Sequence, residues 1–106
     1  ATWCPPCRAE MPELERIQQQ HASDRLMVIG VDQGETAEVV TQFGRGTVQT
    51  TFPLVLDRQL RVGALYGVRA LPTTFFVDKE GRIRSIKFGA LDAASLADGV
   101  REITAP

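Results

Sequence analysis

The feature that most restricts the fold is the alternation of short apolar runs with segments of helical periodicity, closed by two strand-like runs with a minimal gap between them. Leu26 to Val31 reads LMVIGV, rich in β-branched residues and short, which predicts a strand buried on both faces, with Asp32 following it. Pro53 to Leu56 (PLVL) predicts a second buried strand. Helical spacing surrounds them. Met11, Leu14, Ile17 and His21 form one stripe on a helix from about Pro5 to about His21, with Pro12 inside it expected to produce a kink. Thr36 to Phe43 places Val39, Val40 and Phe43 on one face, and Gly44 and Gly46 mark that helix's end. Gln59 to Tyr66 turns Leu60, Ala64 and Leu65 inward and stops at Gly67. The pattern then changes. Thr73 to Val77 (TTFFV) and Arg82 to Phe88 (RIRSIKF) are separated only by Asp78, Lys79, Glu80 and Gly81, a gap that makes an antiparallel hairpin. Asp92 is placed to cap a last helix carrying Leu96, Val100 and Ile103 on one face.

A chain of 106 residues with 43% hydrophobic content can bury one modest core, and no repeat or Pro/Ser-rich linker divides it, so a single domain over 1–106 is expected. The net charge is −1, from 12 basic and 13 acidic residues without long like-sign runs. Such a surface offers no footprint for nucleic acid or an anionic membrane. The apolar runs fall far short of the roughly 20 residues that a membrane-spanning helix needs, so no membrane contact is expected from this segment.

Two cysteines, Cys4 and Cys7, lie at the very start of the first predicted helix in the run Ala-Thr-Trp-Cys-Pro-Pro-Cys. A bridge over so short a loop constrains the unfolded chain little, which makes chemistry a better explanation than stabilisation. A helix N-terminus offers unpaired N–H groups and partial positive charge, and both favour a thiolate at Cys4. Cys4 would attack a substrate disulfide, and Cys7, one turn later, would resolve the mixed disulfide. Pro5 and Pro6 have no N–H to give, so backbone support for the thiolate comes from Cys7 and beyond, which implies a milder drop in pKa. The same spacing serves half a zinc site, but zinc needs four ligands and the only histidine, His21, is predicted several turns away and partly solvated. No metal is expected, and the only redox group is the Cys4–Cys7 disulfide itself.

TWCPPCRAEMPEL and, far downstream, VRALPTTFFVDKEGRI resemble thioredoxin-like proteins of the TlpA and ResA branch. The resemblance covers nearly the whole chain, including a helix-strand insert that Thr36 to Leu56 is similar to and the step at Tyr66 to Val68. It implies an α/β, three-layer thioredoxin-like fold with a mixed central sheet flanked by helices. Pro72 matches a proline that is cis in the family and lies beside the cysteine pair, flanked here by Leu71 and Thr73, where the backbone binds the extended substrate; a strand-start proline is the plainer alternative. Glu10 matches a glutamate that influences cysteine ionisation and proton transfer, against the alternative of a solvated helix residue. Trp3 is similar to the tryptophan that shields the cysteines, against the alternative of a core aromatic. Pro5 joins these as a substrate-side residue, and Arg8 reads as a surface charge.

One departure from the family stands out: no strand precedes the Trp-Cys motif in this chain, although the family places one centrally, between the strands matching Leu26 to Asp32 and Thr73 to Val77. An unfilled slot would strand backbone donors and acceptors, so the domain is expected to be incomplete at its N-terminal side, with the strand supplied by a longer product, a partner chain or strand exchange in a dimer. The resemblance implies dithiol-disulfide exchange with protein substrates, an upstream thiol-disulfide electron donor, and a setting outside the cytoplasm with an anchor further upstream. Keeping cysteines reduced for cytochrome c maturation is the task it suggests. Two other classes share the fold: a thiol peroxidase of the peroxiredoxin type and a non-catalytic peptide-binding or chaperone module.

Overall fold

The computed structural model describes residues 1–47 and 49–105, so Val48 and Pro106, which the insert and the expected single domain include, lie outside the described residues. The elements run in the order α1 (Pro5–Gln20), a 3-10 turn (Ala22–Asp24), β1 (Gly30–Gln33), α2 (Ala37–Gln42), a wider π turn (Phe43–Thr47), β2 (Leu54–Asp57), α3 (Arg61–Leu65), β3 (Thr73–Val77), β4 (Ile83–Phe88) and α4 (Ala93–Thr104).

Local chemistry sets the helix ends. Cys4 is the extended N-cap of α1, and Pro5 and Pro6 occupy the first positions, where a missing N–H leaves nothing unsatisfied. α1 closes at His21, whose N–H donates to the Ile17 carbonyl at 3.0 Å while its Nδ1 lies 2.8 Å from the Asp24 carboxylate. α4 opens with a capping box: the Ser95 N–H donates to Asp92 Oδ1 at 2.7 Å, and the Asp92 N–H donates to Ser95 Oγ at 3.3 Å.

The core gathers where α1 and α4 meet the hairpin. Ile17, Phe76, Leu91, Leu96 and Val100 are buried together, with Leu14, Leu26 and Ile103 packed around them. Gly99 is buried because the Phe76 ring occupies the space a β-carbon would need. The α4 stripe and the hairpin are therefore as the periodicity predicts.

The strands form two ladders. β1 and β2 pair in parallel, from Gly30 opposite Leu54 to Gln33 opposite Asp57. β3 and β4 pair antiparallel, from Thr73 opposite Phe88, with a bulge between Phe76 and Val77. Among the described residues no ladder joins β1 to β3. The Gly30 and Gly34 N–H groups point at β2 and the Pro72 carbonyl at β4. By alternation, the backbone groups of Ile29, Val31, Thr73 and Phe75 point to the opposite, open edges.

Several expectations need correction. The regular part of the first strand begins at Gly30, and the LMVIGV run is not buried on both faces: Met27 is 61% exposed, and Ile29 and Val31 are exposed too. β2 is shifted by one residue to Leu54–Asp57, with Val55 and Leu56 exposed. A two-stranded ladder cannot shield its apolar residues as a full sheet does. The third helix is shorter than predicted, with Leu60 as an exposed left-handed N-cap, Ala64 exposed and Leu65 83% exposed. Its buried residue is Gly63, seated against Gln33 and Asp57, where a larger side chain would collide. The α-helical part of the second helix ends at Gln42 with Phe43 as its C-cap, just before Gly44 as the sequence predicts, but the glycines do not terminate the helical path. The chain continues through the π turn, and Gly44 admits the Leu54 side chain, whose Cδ1 would be 2.9 Å from an added β-carbon. Only Val40 of the predicted apolar face is fully buried, while Val39 is exposed.

In an exposed helix Gly→Ala gains up to about 1 kcal/mol, but the Phe76 ring reverses that sign at Gly99. Gly99→Ala is expected to destabilise by about 1–3 kcal/mol through overpacking, read as a lower urea midpoint with an unchanged slope.

Candidate active site

Cys4 and Cys7 are joined in a disulfide, with their Cα atoms 5.3 Å apart. One helical turn separates them on α1, so both sulfurs stand on one side of its opening. The Cys7 N–H donates to Cys4 Sγ at 3.3 Å. With Pro5 and Pro6 unable to donate, this is the first amide of the helix that reaches the sulfur, as the sequence implied. Cys4 is only 3% exposed, whereas Cys7 is half-buried. The cysteine at the helix mouth is thus the more enclosed of the two, which the motif alone does not reveal.

Trp3 is 67% exposed, which removes the core-aromatic alternative, and Pro5 beside it is exposed as well. The Leu71–Pro72 peptide bond is cis. Pro72 is buried, Leu71 and Thr73 are half-buried, and the segment is held at both sides: Thr73 Oγ1 donates to the Ala70 carbonyl at 2.7 Å and the Gly89 N–H donates to the Pro72 carbonyl at 2.9 Å.

Glu10, one turn beyond Cys7, is 6% exposed and not a solvated surface acid. Its carboxylate accepts the Leu91 N–H at 3.1 Å, tying α1 to the segment that enters α4. Burial pushes the Glu10 carboxyl above its usual value, and the Leu91 hydrogen bond opposes this in part.

Two acidic residues at the end of β1 were not singled out as site residues. Glu35 reaches back to the motif: its carboxylate accepts the Thr2 N–H at 2.7 Å and the Thr2 hydroxyl at 2.6 Å. Burial works against the Glu35 anion, but the two Thr2 hydrogen bonds, together with smaller contributions from Asp32 and the Ala1 amino group, hold the carboxyl below its usual value. Asp32 is buried, and its Oδ1 has no hydrogen-bond partner among the described residues. Burial, followed by the neighbouring Glu35 carboxylate, pushes Asp32 up to about 6. The available signal was positional, because in α/β sheets functional groups collect beyond the carboxyl ends of parallel strands.

A disulfide-forming pair at a helix mouth, the cis Leu71–Pro72 bond and helices packed on parallel and antiparallel strands together define a thioredoxin-like protein. The chain belongs to the AhpC/TSA family, which it matches over residues 1–86. It is 38% identical over 93 residues to the thioredoxin-like protein YneN of Bacillus subtilis, covering 86% of this chain and 54% of that protein. It is 34% identical over 102 residues to the thiol-disulfide oxidoreductase ResA of Geobacillus thermodenitrificans, covering 96% of this chain and 58% of that protein. The chain thus spans little more than half the length of these relatives. Among solved structures, StoA of Bacillus subtilis superposes with a TM-score of 0.80 at 29% identity, covering 93% of this chain and 75% of that one. A thiol:disulfide interchange protein DsbE from Chlorobium tepidum shares the fold, with a TM-score of 0.85 at 24% identity, 97% of this chain and 74% of that one.

The raised Glu10 pKa fixes the sign of a pH effect. A carboxyl that holds its proton more tightly when folded contributes stability below its ordinary value of 4.5 that is lost as pH rises through the raised value. Glu10→Gln keeps an acceptor for Leu91 and abolishes this loss. Thermal melts from about pH 4 to 7 should show the variant gaining on the wild type as pH rises.

Proposed function

We propose that this protein is a thiol-disulfide oxidoreductase that exchanges dithiol and disulfide with protein substrates. The observation that carries the reading is the Cys4–Cys7 pair joined at the N-terminus of α1, with the Cys7 amide directed at the Cys4 sulfur. In the reducing direction the Cys4 thiolate attacks one sulfur of a substrate disulfide. A Cys4–substrate bond forms, the substrate S–S bond breaks, and the departing sulfur takes up a proton. Cys7, deprotonated, then attacks Cys4 Sγ, forming the disulfide seen here and releasing the second substrate thiol. Two electrons pass from the pair to the substrate. The reverse sequence oxidises a client, and the geometry serves both.

The substrate chain is assigned to Leu71, Pro72 and Thr73, with Trp3 and Pro5 on the same side of the reaction and Glu10 influencing cysteine ionisation. The buried Glu10 carboxyl supports that role through like-charge repulsion of a thiolate. No cofactor beyond the disulfide is required, and a second thiol-disulfide protein would recharge the pair. The ResA-like resemblance supports a reductant's task in cytochrome c maturation, in a setting outside the cytoplasm. No helix among the described residues is long and apolar enough to cross a membrane.

The two open ladder edges support a further strand between β1 and β3, completing a mixed sheet. Hydrogen exchange on the full-length protein checks this. The amides of Ile29, Val31, Thr73 and Phe75 are expected to be protected, and rapid exchange at all four would refute the added strand.

Single-cysteine variants of the full-length protein test the function. Cys4→Ser should reduce turnover of a disulfide-bonded protein substrate to background, whereas Cys7→Ser should accumulate covalent mixed disulfides that mass spectrometry can identify. Trapping only on Cys4→Ser would reverse the two roles. Peroxide turnover lost in Cys4→Ser and untouched by Cys7→Ser would indicate a thiol peroxidase instead. Client binding unaffected by replacing both cysteines would indicate a peptide-binding module.

A further inference from the structure

The segment that delivers Cys4 to the helix is a tight turn, closed by the Cys4 N–H donating to the Ala1 carbonyl at 3.2 Å. Thr2 sits inside this turn, and both its backbone N–H and its hydroxyl are taken by the Glu35 carboxylate at 2.7 and 2.6 Å, across 33 residues. Glu35 in turn stands in a fixed place. It follows Gly34, whose positive φ of 80° turns the chain at the end of β1 and whose N–H donates to the Asp57 carbonyl at 3.1 Å. A continuous path therefore runs from the β1–β2 ladder through Gly34 and Glu35 to Thr2 and the turn before Cys4. Two hydrogen bonds to one carboxylate hold an orientation as well as a distance, and bonds to an ionised acceptor are the stronger kind.

We infer that Glu35 is a positioning residue for the redox pair: by holding Thr2 at two points it fixes the turn that presents the Cys4 sulfur to Cys7. This rests on the reading of the pair as a thiol-disulfide couple. Cys7 lies within α1 and the Cys4 carbonyl is held by the Arg8 N–H at 3.0 Å, so the freedom left to Cys4 is set on its N-terminal side, by the incoming turn. Ring closure between two groups is favoured when their relative freedom is already restricted, so a loosened turn lowers the equilibrium constant for joining the sulfurs. Glu35 acts on the pair through Thr2.

The experiment measures the Cys4–Cys7 equilibrium against glutathione in the full-length protein, alongside the rate of Cys4 alkylation. Glu35→Gln leaves an amide in place of the second acceptor oxygen and is expected to weaken the disulfide about tenfold, a potential about 30 mV higher for a two-electron couple. Thr2→Val removes the hydroxyl bond alone and should give a smaller shift in the same direction, which keeps the test open if Glu35→Gln does not fold. Thr2→Ser retains the hydroxyl and should keep the wild-type equilibrium. Variants that melt earlier but retain both the equilibrium and the alkylation rate would overturn the inference, leaving Glu35 as a tether of the fold only. A wild type that cannot cycle between joined and separate sulfurs would instead sink the functional reading, and this inference with it.

Discussion

The first turn of an α-helix has more donors than acceptors, and in this protein a sulfur helps close that imbalance. Cys4 is the N-cap of α1, the following two residues are prolines that contribute no donor, and the Cys7 amide meets the Cys4 sulfur. The same helix then buries Glu10 and Ile17 against the rest of the fold. An ordinary Ser or Asp cap would satisfy the helix equally well. What it could not do is turn the capping group into the reactive one, so helix stability and redox chemistry draw on the same amide.

That arrangement is useful only if the helix and its lead-in are held still, and the tethers are polar and long-range. Glu10 reaches the Leu91 amide, Glu15 takes both the amide and the hydroxyl of Thr51, and Glu35 does the same for Thr2. Asp57 plays the corresponding part for α3, accepting the N–H groups of Val62 and Gly63 and the amide of Gln33. Acidic side chains paired with backbone donors recur at the places where two elements must keep a fixed relation. The larger buried apolar cluster lies on the α1, α4 and hairpin side, and the carboxylate tethers Glu15, Glu35 and Asp57 gather on the β1–β2 side.

How legible this was in the sequence depends on the range of the determining interactions. The α1 start, the Asp92 cap and the β3–β4 hairpin were readable because caps, turn lengths and periodicity act within a few residues. Leu65 and Met27 were misjudged because hydrophobicity states a preference for burial and cannot say whether a covering element is present. Gly44 reads as punctuation in the sequence but also admits Leu54, and Gly63, which carries no local signal, admits Gln33. At the site, Cys4 and Cys7 announced themselves by spacing. Glu35 did not, since its partner Thr2 lies at the other end of a tertiary contact, and a lone glutamate after Gly34 carries no local mark.

Gln18 illustrates what a single amide side chain can replace. Its Nε2 donates to the Leu26 carbonyl at 3.0 Å and its Oε1 accepts the Val28 N–H at 2.7 Å, the pair of bonds a neighbouring strand would make. The stretch leading into β1 is thereby paired with a helix instead of another strand. Because that helix also bears the cysteines, the stretch entering β1 is tied by side-chain hydrogen bonds to the element that carries the redox pair.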